Sequence, residues 1–313
     1  MFIHPRKFLS AGFFLMFVGF ALLGNASVLH AAQKKLEVVT TTTYFEALVK
    51  EIGQDKVSVK HVASPKFNVH FIEPKPSDIR NLAKADLYVF AGLDLEAWSD
   101  PLVEAAGKPE FFRGGPRSLD LSKGIRLLKV PTGVLSRALG DQHLFGNPHY
   151  QTNPENAKII AQTILEKLKE IDPSNVSSYE KNAKNFLGKL DQKIQEWKAL
   201  CAHCAGKEIY SYHEDIEYFV DFLQLKLEFF LEPKPGIPPT PRQLELLEAH
   251  AKSGEVKAIV MPSYYPKEMA EALAKRIDAP VVTIAQNPGE VPGTEDFFSF
   301  FDYNFKQIAE AIK

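Results

Sequence analysis

Three histidines stand where their imidazoles could reach a single metal ion. His70 lies in Phe67-Asn-Val-His70-Phe-Ile-Glu-Pro-Lys-Pro-Ser-Asp78, a loop between an expected strand and helix. His149 lies in Gly146-Asn-Pro-His-Tyr-Gln-Thr-Asn-Pro154, just before a helix start, and His213 ends the strand Ile209–Tyr212 and precedes a helix. In open α/β sheets, ligands bind beyond the carboxyl ends of the strands. Two facing lobes would point all three at one cleft. Imidazole suits zinc, copper and nickel, whereas manganese prefers more carboxylate oxygen. A lone histidine is more often structural than ligating. His61, mid-strand, and His250, within a helix, read as structural, and His143 reads as an outer-rim residue.

Other chemistry is thinly represented. His213-Glu214 is not followed by the second histidine of a metallopeptidase helix, because Glu217 stands there. Nucleophile elbow, phosphate loop and dinucleotide fingerprint are all missing. A zinc hydrolase is the alternative from another class, since three histidines and an open position also describe catalytic zinc. The two cysteines form one motif, Cys201-Ala-His-Cys204. A local disulfide is its simplest reading in an oxidising compartment. A redox pair, or an accessory metal site with His203, is the alternative.

The elements that must position these residues alternate. Strands are expected at 36–42, 57–63, 87–91 and 125–130, with helices at 44–52, 77–85 and 96–106 between them, and such alternation predicts parallel sheets. A helix follows with Asn153 as N-cap and Pro154 at its first position. A longer helix starts at the capping-box pattern Ser177-Ser-Tyr-Glu180 and runs to Leu200. Its apolar residues Tyr179, Ala183, Phe186, Leu190, Ile194 and Trp197 form one stripe. Alternation then resumes, with strands at 208–212, 226–230, 256–261 and 281–285 and helices at 215–223, 242–252, 268–277 and 297–312. The predicted fold is α/β: two lobes, each a parallel sheet flanked by helices, joined by a long rigid backbone helix. The expected division is 1–31 signal peptide, 32–175 N-terminal lobe, 176–204 linking helix and 205–313 C-terminal lobe.

The opening residues read as an export signal. Arg6 and Lys7 precede the apolar stretch 11–23, and small residues follow. No cysteine lies near that stretch, so the expectation is a soluble periplasmic protein, released by cleavage and not a lipoprotein. Losing two positive and no negative charges takes the net charge from −2 to −4. That balance argues against a nucleic-acid partner.

Taken together, the motifs resemble those of the metal-binding solute-binding proteins of bacterial ABC importers for zinc and manganese. The matching residues are His70-x-x-Glu73-Pro-x-Pro-Ser-Asp78, Asn147-Pro-His149 with Asn153-Pro-Glu-Asn-Ala157, and Tyr212-His213 with Tyr218-Phe219. The resemblance spans residues 36–313. It implies that His70, His149 and His213 are the metal ligands, and that the partner is a permease in the inner membrane served by a monomeric carrier. The long helix is also a mark of this family, as a stiff backbone.

There are departures from the family pattern. The acidic fourth ligand often found after the last strand is replaced by Thr283-Ile-Ala-Gln-Asn-Pro-Gly-Glu290, so Gln286, Glu290 or water would complete the shell. The usual aromatic-Leu-Asp after the second histidine becomes Tyr150-Gln-Thr-Asn153, and the His/Asp-rich loop of many zinc members is lacking from 108–146. Three histidines without an acid favour Zn2+ as cargo over Mn2+. Glu73 is expected to fix an imidazole orientation rather than to ligate. A carrier of a chelated metal or corrinoid, and an adhesin with a structural metal, are the remaining alternatives.

Overall fold

Leu36–Thr40 (β1), with its β-branched and apolar run, forms the central strand of the first sheet in the computed structural model. The structure describes residues 1–2, 34–133, 143–234, 236–252 and 254–312, so the expected signal segment lies almost wholly outside them. No helix among the described residues is long and apolar enough to cross a membrane.

The first sheet adds Val57–His61 (β2), Leu87–Phe90 (β3) and Ser118–Asp120 (β4) in the order β2-β1-β3-β4, all parallel. Helices Thr43–Gly53 (α1), Pro76–Ala83 (α2) and Ser99–Ala106 (α3) connect these strands. The second sheet uses Glu208–Ser211 (β5), Lys226–Phe230 (β6), Val256–Pro262 (β7) and Val281–Ile284 (β8) in the equivalent parallel order β6-β5-β7-β8. Its connecting helices are Glu217–Leu223 (α6), Pro241–Ala251 (α7) and Glu268–Ile277 (α8). In each sheet the chain reverses its direction of winding beside the first strand, β1 or β5. Such a switch point opens a crevice at the strand carboxyl ends.

Asn156–Ile171 (α4) and Val176–Leu200 (α5) lie between the lobes in sequence. The 25 residues of α5 span about 37 Å at 1.5 Å per residue. All six residues of its predicted stripe are buried, against α1, α4 and Phe297–Ala311 (α9). Trp197 stacks on Phe305 at 5.0 Å and donates its indole N–H to Asp302 at 2.7 Å. Tyr44 of α1 meets Phe297, Phe300 and Phe301 of α9 at 5.7–6.4 Å. The last helix thus joins both lobes and α5 in one aromatic core, whose interlocked rings resist sliding because interiors pack at crystal density.

Three local expectations are corrected. Residues 125–130 form no strand; β4 lies earlier, at 118–120. Leu128 N–H donates to the Tyr218 hydroxyl at 3.0 Å and its carbonyl takes Asn147 N–H at 2.9 Å, so its backbone groups are used outside any ladder. The capping box at Ser177 does not form: α5 starts one turn after Asp172, whose carboxylate accepts from Ser174, Asn175 and Tyr179. Finally, Cys201 and Cys204 are buried free thiols rather than a disulfide. Cys201 closes α5 and directs its thiol to the Phe305 carbonyl at 3.5 Å.

Candidate metal centre

Two of the three histidines are presented by the same local device. Asn68 accepts the backbone N–H of His70 at 3.0 Å through its side-chain oxygen, and Asn147 accepts that of His149 at 2.8 Å. Asparagine favours such Asx turns because its side chain imitates a backbone carbonyl. Each turn is anchored further: Trp98 donates to the Val69 carbonyl at 2.7 Å, and the Thr152 hydroxyl donates to the His149 carbonyl at 2.9 Å. The amide nitrogens of the same asparagines reach into the C-terminal lobe. Asn68 donates to the Tyr265 hydroxyl at 3.1 Å, while Asn147 donates to Glu217 at 2.8 Å and the Glu214 carbonyl at 3.1 Å.

His213 stands two residues beyond the end of β5, at the switch point of the second sheet. Its Nδ1 lies 2.6 Å from Glu232, which also accepts Gly236 N–H at 3.0 Å. A carboxylate on one ring nitrogen fixes the tautomer and leaves the other nitrogen as a donor to metal. Tyr265 stacks on Tyr212 at 4.3 Å and flanks His213 at 6.1 Å.

The structure brings all three predicted residues together. One ligating atom from each of His70, His149 and His213 lies within 4.8 Å of the other two. His70 Nε2 and His149 Nε2 are 3.2 Å apart. Nitrogens held tetrahedrally at 2.0–2.1 Å from zinc would be separated by about 3.3–3.4 Å. His149 and His213 are only 4% and 5% exposed, whereas His70 is part-buried.

Electrostatics separate the three rings. Burial, then the neighbouring imidazoles, holds His70 and His149 well below the usual histidine value. Burial also acts downward on His213, but the Glu232 bond and the charges of Asp215, Glu232 and Glu214 outweigh it and raise its pKa. Asp215 is itself fully buried, and burial pushes its carboxyl up to about 7. Neither of its oxygens has a hydrogen-bond partner.

The other predicted residues separate clearly. His143 is part-buried, its ring 5.0 Å from that of His70 and its Nδ1 2.8 Å from Asp94. His61 pairs with Glu46 at 2.5 Å, and His250 bonds the Tyr210 hydroxyl at 2.7 Å and packs on Phe229. His203 bonds the Ala309 carbonyl at 3.1 Å, beside Cys204. Glu73 is exposed; the carboxylate that orients a site imidazole is Glu232 instead. Glu290 braces its own loop, accepting from the backbone and hydroxyl of Ser263 at 2.9 and 2.7 Å and from Gln286 N–H at 2.6 Å. Both polar atoms of the buried Gln286 side chain lack partners.

Glu232, Asp215 and Tyr265 were not legible as site residues. The repeated Asn-x-His, at 68–70 and 147–149, was a signal in plain sight.

A manganese ABC transporter substrate-binding lipoprotein of Streptococcus gordonii is 27% identical over 308 residues, covering 95% of this chain and 96% of that one. The high-affinity zinc uptake system protein ZnuA of Bacillus subtilis is 27% identical over 276 residues, covering 86% of each. The fold matches a crystal structure of ZnuA with a TM-score of 0.75 at 23% identity, covering 90% of this chain and all of that one. The expectation of a soluble periplasmic protein that is not a lipoprotein is corrected by these relatives, several of which are named lipoproteins. That expectation rested on where cysteines do not occur, and an absence is weak physical evidence about retention at a membrane. Residues 38–311 match the model of the zinc-uptake complex component A periplasmic family, and the chain belongs to it, as a metal-binding, substrate-binding component of an ABC transporter.

Proposed function

We propose that this chain captures one divalent transition metal on His70, His149 and His213 and carries it, as a monomer, to its membrane permease. Zinc is the preferred cargo and manganese the poorer one. The observation that carries the reading is the convergence of three imidazole nitrogens within 4.8 Å from three separate loops. Nitrogen-rich sites suit zinc, and no carboxylate joins that cluster among the described residues. Gln286 or water completes the shell, since Glu290 is engaged in its loop. We read the protein as a carrier and not an enzyme, in keeping with relatives named for substrate binding. Residues 1–31 serve export, 32–175 and 205–313 form the two lobes, and 176–204 link them.

The test is a zinc competition titration of the native chain and the H70A, H149A and H213A variants. Each substitution should weaken binding sharply, because each removes a direct bond to the ion. Native affinity in all three variants would sink the assignment.

A further inference from the structure

A fourth imidazole, that of His143, flanks this cluster from outside it: among the described residues only His70, His149 and His213 bring ligating atoms within 4.8 Å of one another. The ring of His143 is 5.0 Å from that of His70, nearer than the ring of His149 at 5.1 Å or of His213 at 5.9 Å. It lies 6.1 Å from His149, the same separation as His149 from His213. The rings of His70 and His143 are inclined by only 31°.

His143 is also prepared as a ligand in the way His213 is. Its Nδ1 lies 2.8 Å from Asp94, as that of His213 lies 2.6 Å from Glu232. Asp94 additionally accepts Leu144 N–H at 3.0 Å, which ties His143's own segment to the carboxylate. The bend carrying Asp94 is unusual backbone: Gly92, Leu93 and Asp94 have φ of +79°, +53° and +58°. A Cβ at Gly92 would fall 2.4 Å from Asp120 Oδ1, so this tight bend requires glycine there. Locally costly conformations of this kind persist only where surrounding structure holds them.

Position distinguishes the two prepared rings. The His143 side chain is 14% exposed and that of His213 6%. His70, His143 and His149 all precede α4, whereas His213 belongs to the second sheet's side of the cleft. We propose that His143, His70 and His149 form an outer capture site borne by the N-terminal lobe alone, from which the ion passes inward by exchanging its bond to His143 for one to His213. His70 and His149 stay bonded throughout, so the ion is never released to water during the exchange. The inner position alone ties the two lobes together. The proposal rests on the metal-carrier reading and adds a path to it.

The experiment uses the full chain as native, H143A, H213A and H143A/H213A proteins. Zinc affinity is measured by competition, association rate by stopped flow, and ligand environment by the visible absorption of bound cobalt. H213A should still bind one zinc, more weakly, with a cobalt spectrum that changes again in the double variant. H143A should slow association, and its affinity penalty should be at least about tenfold in the H213A background, the scale on which a metal site's supporting residues already act. That penalty should exceed the one H143A causes alone. If H143A is unstable, H143Q keeps a side chain able to reach Asp94 but removes the imidazole donor. Identical affinities for H213A and the double variant, or no metal on H213A, would overturn the outer site. A native chain that binds no zinc or cobalt would instead overturn the carrier reading.

Discussion

Asn147 donates its side-chain amide to Glu217 across the cleft at 2.8 Å. The oxygen of that same amide holds the backbone of His149 at 2.8 Å. One planar group therefore couples the orientation of a proposed ligand to a contact with the opposite lobe. Asn68 makes the equivalent pair of bonds, to His70 N–H and the Tyr265 hydroxyl.

Removing either amide should loosen its histidine without deleting a donor to metal. N147A and N68A are expected to weaken zinc binding about 10–100-fold, the range seen for outer partners of metal ligands. N147D should be worse than N147A, because it sets a second acid against Glu217, whose pKa burial and Glu214 already raise. Competition titration checks both, and equal affinities of N147A and native protein would refute the coupling.

Protons should leave mainly from one ring. His70 and His149 are held well below 6.5, so both are already neutral near that pH, while His213 is raised above it. Zinc binding at pH 6.5 should therefore release about one proton, since ligating imidazoles must be neutral. As pH falls, competition begins at His213, and the other two rings add to it only well below 6.5. Replacing Glu232 by Gln removes the main upward influence on His213 and should reduce the release. Calorimetry in buffers of different ionisation enthalpy measures this directly, and an E232Q variant that releases as many protons as the native chain would contradict it.

Asp215 should trade stability against affinity. Its carboxyl is raised from an ordinary 3.8 to about 7, so the folded chain keeps a proton that the unfolded chain loses between those values. Stability of the metal-free protein from this group is complete below pH ~4 and is lost as pH rises through about 7. D215N should raise the metal-free Tm by several degrees at pH 8 and progressively less toward pH 4. The same substitution should weaken zinc binding, because it deletes a negative charge close to His213. Thermal melts with and without zinc test both signs.

Metal should leave the long helix unchanged. Zinc is expected to raise Tm by mass action and to slow amide exchange in the loops around His70 and His149. Residues 180–198 should change little, given the burial of Phe186, Leu190, Ile194 and Trp197 along one face of α5. Exchange changes concentrated in that helix, with none near the histidines, would contradict a stiff two-lobed carrier.

Much of the fold was readable because its signals are local and periodic. Strand and helix alternation follows from apolar runs and caps, and the α5 stripe follows from 3.6-residue spacing, since burial selects one face of a helix. The three histidines were legible through their places at element junctions and through the motifs around them. The strand expected at 125–130 failed because apolar residues there promise burial, not a partner strand; Leu128 finds Tyr218 and Asn147 instead. Likewise, Ser177 matches a capping pattern, yet Asp172 gathers the local donors through the chain's turn into α5.

The sequence by itself determined which side chains have donors to offer a metal and which elements carry them. Tertiary structure alone decided which carboxylate stands behind which ring. Glu232 reaches His213 across 19 residues and Asp94 reaches His143 across 49, separations over which no periodic pattern acts. It also decided the protonation of the rings, because desolvation and neighbouring charge depend on what the fold packs around each nitrogen. His70, His149 and His213 are one residue type in the sequence, but the fold lowers the pKa of the first two and raises that of the third.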